Sequence, residues 1–233
     1  MRNLQLGFRL ANQYLKLFQK SSEKDPLTKH DAEATERLRK IENASVLEIG
    51  SRDVSGNIDR GRFPNATEYV GFDVLDGDNV DIVGDVHELS KLVPNNHFDI
   101  VYSTSVFEHL LFPWKAALEI NRVLKPGGFV LTQTHPAWPE HEMPWDFWRF
   151  PHQSFISIFN EYTGFKIVSK AEGRPMRAFS LVKDAPMAKM YRFNLNGAVQ
   201  CLAQKSGPYR EDLIKWDIVA NDVVGNLYPE KDR

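Results

Sequence analysis

The spacing of apolar runs predicts an α/β protein with a mostly parallel sheet and helices on both faces. Three observations carry this. Short segments rich in β-branched and aromatic residues recur at 45–49 (SVLEI), 68–73 (EYVGFD), 97–102 (HFDIVY) and 128–133 (GFVLTQ), as strands buried on both faces do. Segments of helical spacing fall between them, and strand–helix–strand alternation implies right-handed crossovers and parallel neighbours. Finally, Lys125-Pro126-Gly127-Gly128 stops a helix and returns the chain to the sheet, because proline cannot continue a helix and glycine tolerates a left-handed turn.

Taken in order, the chain opens with Leu4, Phe8, Ala11, Leu15 and Phe18 on one helical stripe and Arg2, Arg9, Lys16 and Lys20 on the other face. Such a helix can pack its stripe on its own domain, cover a site, lie on an anionic membrane or grip a partner. Residues 21–31 are polar, contain Pro26 and read as a linker; a second helix is expected at 32–42. Strands follow at 45–49, 68–73, weakly at 80–83, and at 97–102 and 128–133, with helices at 86–92 and 114–124. An aromatic, proline-rich stretch (THPAWPEHEMPWDFWRF) precedes a helix at 153–162, a strand at 165–170 and a last strand at 198–203, read as antiparallel. That makes seven strands. Residues 1–30 form an N-terminal helix and linker, and 31–233 one domain with its core at 45–205.

Composition narrows the function classes. The 233 residues are 42% hydrophobic and 26% charged, with a formal net charge of −2, so no general attraction to nucleic acid is expected. A single cysteine, Cys201, allows no internal disulfide and no cysteine-rich zinc site. No apolar run spans a bilayer and no secretory signal opens the chain. A soluble cytoplasmic protein is the expectation.

In an open parallel sheet, ligands bind beyond the carboxyl ends of the strands. Those ends present Glu48, Gly50 and Ser51, then Asp73, then Asp85-Val86-His87, then Ser103-Thr104-Ser105, then His135. The ordered motifs VLEIGSRDVSG, YVGFDV, GDVHEL, FDIVYSTSVFEHL and EINRVLKPGGFVLTQTHP resemble those of class I S-adenosylmethionine-dependent methyltransferases. The resemblance covers residues 45–150 and, more weakly, extends to 205. It implies a Rossmann-like seven-stranded sheet and S-adenosylmethionine as cofactor. The resemblance implies that Asp73 meets the ribose, that the Asp85 side chain and Val86 backbone meet adenine, that Gly50 lets the backbone approach the cofactor, that Glu48 helps hold that loop and the amino-acid tail, and that the backbone around Ser103 accepts from the ammonium group; Ser51 and Val74 are further cofactor-binding candidates. Asp85 precedes a helical segment and could equally be its N-cap. Family members usually carry two further glycines after the first; here Arg52 and Val54 stand in those places and glycine returns at Gly56. Arg52 could contact the cofactor carboxylate or close the pocket.

A hydroxyl methyl acceptor needs a base, and histidine suits that task. His135 and His109 are the catalytic candidates. His135 could instead support the turn at Pro136, and His109 could simply brace its loop. Trp138, His141, Trp145, Trp148 and Arg149 are candidates for contacts to a small-molecule or glycan acceptor, although the aromatic cluster, which includes Phe147 and Phe150, could pack against the first helix. Residues 174–196 read as an insertion over the acceptor pocket. No metal is assigned, because no ligand spacing compels one. O-methylation is the expected chemistry. A binding or regulatory protein that kept the fold and lost its chemistry is the alternative, and a nicotinamide-dependent oxidoreductase is a lesser one, because Gly50 to Gly56 lacks the G-x-G-x-x-G spacing.

Overall fold

The computed structural model describes residues 2–17, 19, 21–54, 56, 59–181, 187 and 189–212, with the side chains of 2–6 and 8 left out. Four helices are described: α1 (Arg2–Lys16), α2 (Pro26–Arg39), α3 (Pro113–Val123) and α4 (Ser154–Ile158). Seven strands are described: β1 (Ala44–Ile49), β2 (Ala66–Asp73), β3 (Ile82–Val83), β4 (Phe98–Thr104), β5 (Leu124–Thr134), β6 (Phe165–Met176) and β7 (Leu195–Lys205). They form one sheet in the order β3-β2-β1-β4-β5-β7-β6. β7 runs antiparallel to both β5 and β6, and the remaining pairs are parallel. The expected seven-stranded, mostly parallel sheet with an antiparallel last strand is what forms.

Alternation along the central strands builds a core on each face. Leu47, Ile49, Val101, Val130 and Ala203 join Phe107, Ile120 and Phe159 on one side. Val46, Ile100, Tyr102, Leu131 and Leu202 meet Ala34 and Leu38 of α2 on the other. The strand order reverses between β1 and β4, whose register pairs Val46 with Ile100 and Ile49 with Ser103. A crevice therefore opens beyond their carboxyl ends.

Several boundaries differ from the sequence expectation. The linker is shorter than 21–31, because Pro26 occupies the first turn of α2, where a missing N–H costs nothing, and Asp25 caps the helix by accepting from Leu27 N at 2.9 Å. The helix expected at 153–162 is only the single turn of α4, and the segment at 86–92 is a 3-10 turn over Val86–Lys91, kinked at Glu88. Strands β5, β6 and β7 run longer than their apolar cores, since ladder hydrogen bonds extend past the residues that hydrophobicity marks. On α1, every described side chain is exposed, Leu10 at 59% and Leu15 at 47%, so the apolar stripe is not packed at those positions; Leu4, Phe8 and Phe18 lie outside the described side chains. Part of 174–196 also lies outside the described residues. Among the described residues, no helix is long and apolar enough to cross a membrane.

Candidate active site

A cavity of about 410 Å³ lies at the strand-order reversal, within the range of small-molecule sites, and is lined by the carboxyl-end loops of β1, β2, β3 and β4. Glu48, Gly50, Ser51, Arg52, Asp73, Val74, Asp85 and Val86 all line it. Gly50 turns the chain with φ +79°, and a Cβ there would lie 2.3 Å from Val106 Cγ2. The glycine is thus demanded by the left-handed turn and by the β4 loop behind it.

Glu48 is buried and accepts from Tyr69 Oη at 2.9 Å and Asn79 Nδ2 at 3.2 Å. Burial raises its carboxyl above the usual range, against the hydrogen bonds from Tyr69 and Asn79. Asn79 also donates to Ser51 O at 2.7 Å, so Glu48 acts on the first loop through Asn79. Sequence reasoning missed Asn79. Its signal was weak: an asparagine in a polar loop, which here adopts φ 70°. Gly71 makes room for it, since a Cβ there would lie 2.1 Å from Asn79 O.

Asp73 accepts from Arg52 N at 3.2 Å and Leu75 N at 2.9 Å, which fixes its carboxylate at the end of β2. The Arg52 stem packs over Gly77 and its Nε lies 3.9 Å from Asp73 Oδ1. Arg52 therefore lines the cavity without filling it. Asp85 is both an N-cap and a cavity residue: Oδ1 accepts from His87 N at 2.9 Å and pairs with His87 Nδ1 at 2.6 Å. Burial works to raise its carboxyl, but hydrogen bonding and charge from His87 outweigh it and hold Asp85 below its ordinary value. Both contacts use Oδ1, so Oδ2 can serve a ligand. Ser103 does not line the cavity; its Oγ donates to Thr132 Oγ1 at 2.9 Å inside the sheet, and Thr104 and Ser105 face the site instead.

The residues present fit S-adenosylmethionine. Ser51 Oγ and Arg52 Nε are buried with no hydrogen-bond partner, and buried polar atoms in that state call for a ligand. Five carboxylates, Glu48, Asp59, Asp73, Asp85 and Glu142, share the lining with the single guanidinium of Arg52. That balance suits a cationic sulfonium and ammonium with one carboxylate to meet Arg52.

His109 and Trp145 also line the cavity, and Glu108, next to His109 in the chain, is fully buried. His135 is buried behind Ser105 and does not line the cavity itself. Its Nδ1 lies 2.9 Å from Gly197 O, and a carbonyl only accepts, so Nδ1 is the donor and, in the neutral ring, Nε2 has the lone pair. Nε2 is 3.0 Å from Ser105 Oγ and 3.3 Å from Glu108 Oε1. Ser105 reaches it through a left-handed backbone, φ 56°.

The aromatic stretch divides. Trp138 stacks on His135 with centroids 4.9 Å apart, and Trp148 packs against Trp114. Phe150 belongs to the core beside Phe107. Arg149 is taken up within the loop, donating to Asp146 through both terminal nitrogens and to the carbonyls of Trp138, Pro139 and Trp148. His141 is tied to the same loop.

Residues 19–169 match a family model described as a methyltransferase domain. Among curated proteins, none matches the chain by sequence. Solved structures share the fold. An S-adenosylmethionine-dependent methyltransferase from Archaeoglobus fulgidus is 16% identical, with a TM-score of 0.53 over 84% of this chain and 99% of that one. The complex of the Haloferax volcanii Trm112 activator with a candidate methyltransferase contains a chain 19% identical, with a TM-score of 0.52 over 77% of this chain and 90% of that one. The [4+2]-cyclase SpnF is 17% identical, with a TM-score of 0.52 over 77% and 80%. With the family model spanning well over half its length, the chain belongs to the class I methyltransferase family, enzymes whose methyl donor is S-adenosylmethionine.

Proposed function

We propose that this enzyme methylates a hydroxyl group of a small-molecule or glycan acceptor, with Asp73, Asp85, Glu48 and the loop from Gly50 to Arg52 holding the cofactor. The supporting observation is the lining of one cavity, which brings Glu48, Asp73, Asp85 and the tight glycine loop together with Ser105, His109 and Trp145. When bound, S-adenosylmethionine supplies an electrophilic methyl group. The hydroxyl that receives it must give up a proton as the new bond forms. Ser105 Oγ takes that proton while its own passes to His135 Nε2, 3.0 Å away. The carboxylate of Glu108, 3.3 Å from the same nitrogen, then stabilises the imidazolium. His109 and Trp145 border the acceptor.

Release of S-adenosylhomocysteine over a panel of hydroxyl and amine compounds tests this. Turnover is expected with hydroxyl compounds, and His135→Ala should lower it about 10²–10⁴-fold with cofactor affinity little changed. Turnover with amines alone would overturn the oxygen assignment. A folded His135→Ala protein of full activity would remove His135 from the proton path.

A further inference from the structure

The buried carboxylate of Glu108 poses a problem that the methyl-transfer reading leaves open. The side chain has 0% exposure. Its Oε2 accepts from Thr134 Oγ1 at 2.6 Å, but Oε1 accepts no hydrogen bond. A carboxylate removed from water is costly unless a charge compensates it. His135 Nε2 lies 3.3 Å from Oε1 but makes no hydrogen bond to it.

We infer that Glu108, His109 and His141 form a binding site for one divalent first-row transition cation beside the cavity. One ligand atom from each lies within 4.8 Å of the other two. Two ligands at about 2.1 Å from a common ion stand roughly 3–4 Å apart, so the three atoms stand close to ligating separation. The His109 and His141 rings already meet edge to face, with centroids 4.7 Å apart.

The surroundings orient both rings as ligating histidines are usually oriented, with the second nitrogen donating to a carbonyl or carboxylate. His109 Nδ1 lies 2.5 Å from Trp145 O, and His141 Nδ1 lies 3.1 Å from Pro139 O and 3.4 Å from Asp146 Oδ2. Each contact makes Nδ1 the donor, so Nε2 is the ligating nitrogen of the proposed site. Asp146 is in turn gripped by Arg149, which holds its carboxyl well below the usual range. Arg149 thus supports a ligand at one remove, which gives a purpose to its five hydrogen bonds within the loop. Thr134 orients the Glu108 carboxylate in the same way.

Two histidines and one carboxylate suit Zn²⁺, Fe²⁺, Co²⁺ or Mn²⁺, and three protein ligands leave positions open for a substrate oxygen. His109 borders the cavity, so an oxygen of the methyl acceptor could fill one of them. The ion would make that hydroxyl more acidic and lighten the demand on His135. This role rests on the methyl-transfer reading; binding of the ion does not.

The test is titration of chelator-treated full-length protein with Co²⁺, followed by ligand-field absorbance and calorimetry, beside a separate titration with S-adenosylhomocysteine. We expect one Co²⁺ per chain. His141→Ala and Glu108→Gln should each weaken Co²⁺ at least tenfold, while His97→Ala, remote from the trio, should bind normally. His141 is on a loop, so its variant decides the matter if Glu108→Gln fails to fold. Absence of stoichiometric Co²⁺ binding by the wild type, or unchanged binding by His141→Ala, would overturn the inference. Loss of S-adenosylhomocysteine binding with Co²⁺ binding intact would count against the cofactor assignment instead.

Discussion

Replacing Asp73 by alanine separates cofactor recognition from loop support. The carboxylate sits at the end of β2 with its side chain 12% exposed, and it lines the cavity. If it accepts both ribose hydroxyls, the substitution deletes two charge-assisted hydrogen bonds of about 1.5 kcal/mol each. The sum, about 3 kcal/mol, corresponds to a loss of roughly 100-fold in affinity. The structure adds a second cost. Arg52 N and Leu75 N both lose their acceptor, at about 1 kcal/mol apiece, which for a chain of this size lowers the melting temperature by about 4–8 °C. Asp73→Asn keeps one carbonyl acceptor and should fall between, near tenfold. Calorimetric titration with S-adenosylhomocysteine measures the first effect and scanning calorimetry the second. A cooperatively folded Asp73→Ala protein that binds with wild-type affinity would show that the ribose does not meet this carboxylate. A lowered melting temperature with unchanged affinity would leave Asp73 as a loop clamp only.

Three further outcomes follow from the geometry. Gly50→Ala places a methyl group 2.3 Å from Val106 Cγ2 in a left-handed backbone, so it should cost about 2 kcal/mol or more in denaturant unfolding and weaken cofactor binding with it; a neutral result would mean that the β4 loop yields. Asp99 is held below its ordinary value because hydrogen bonds from Lys125 and Ser45 outweigh the effect of burial, which works to raise it. Its depressed folded value means that its contribution is present above about pH 4, the unfolded range, and is lost as pH falls through the folded value; Asp99→Asn should flatten that part of the acid-unfolding profile, and an unchanged profile would contradict the assignment. Burial pushes the Cys201 thiol up to about 12, so native protein at pH 8 should react with a disulfide reagent only at its rate of opening, and fast labelling would show β7 to be looser than its full burial implies.

Much of this architecture was legible because burial leaves a periodic trace in the chain. β1 is buried throughout and reads as a short, mostly apolar run, SVLEI. Asp73 and Asp85, which line the cavity, could be placed at strand ends because a strand's end is marked by where its apolar run stops. The helix boundaries were less legible. Pro26 and Asp25 carry the signature of a helix start, but a polar segment before weak periodicity hides it, and the start shows itself in a capping bond to Leu27 N.

The histidines and the aromatic loop were a different matter. From the residue types alone, His135 and His109 are candidate bases and Trp138, His141 and Arg149 candidate acceptor contacts, with a structural role open for each. The fold sorted them, because what each can do depends on contacts made across long stretches of chain: His135 with Gly197, Glu108 with Thr134, His109 with Trp145. Local spacing dictates which residues face inward, and so the sheet, the strand ends and the acids that stand at them belonged to the sequence. Which nitrogen carries a proton, which carboxylate oxygen is left without a donor and which side chain reaches the cavity were decided by tertiary packing, since only there do partners far apart in the chain come within hydrogen-bond distance.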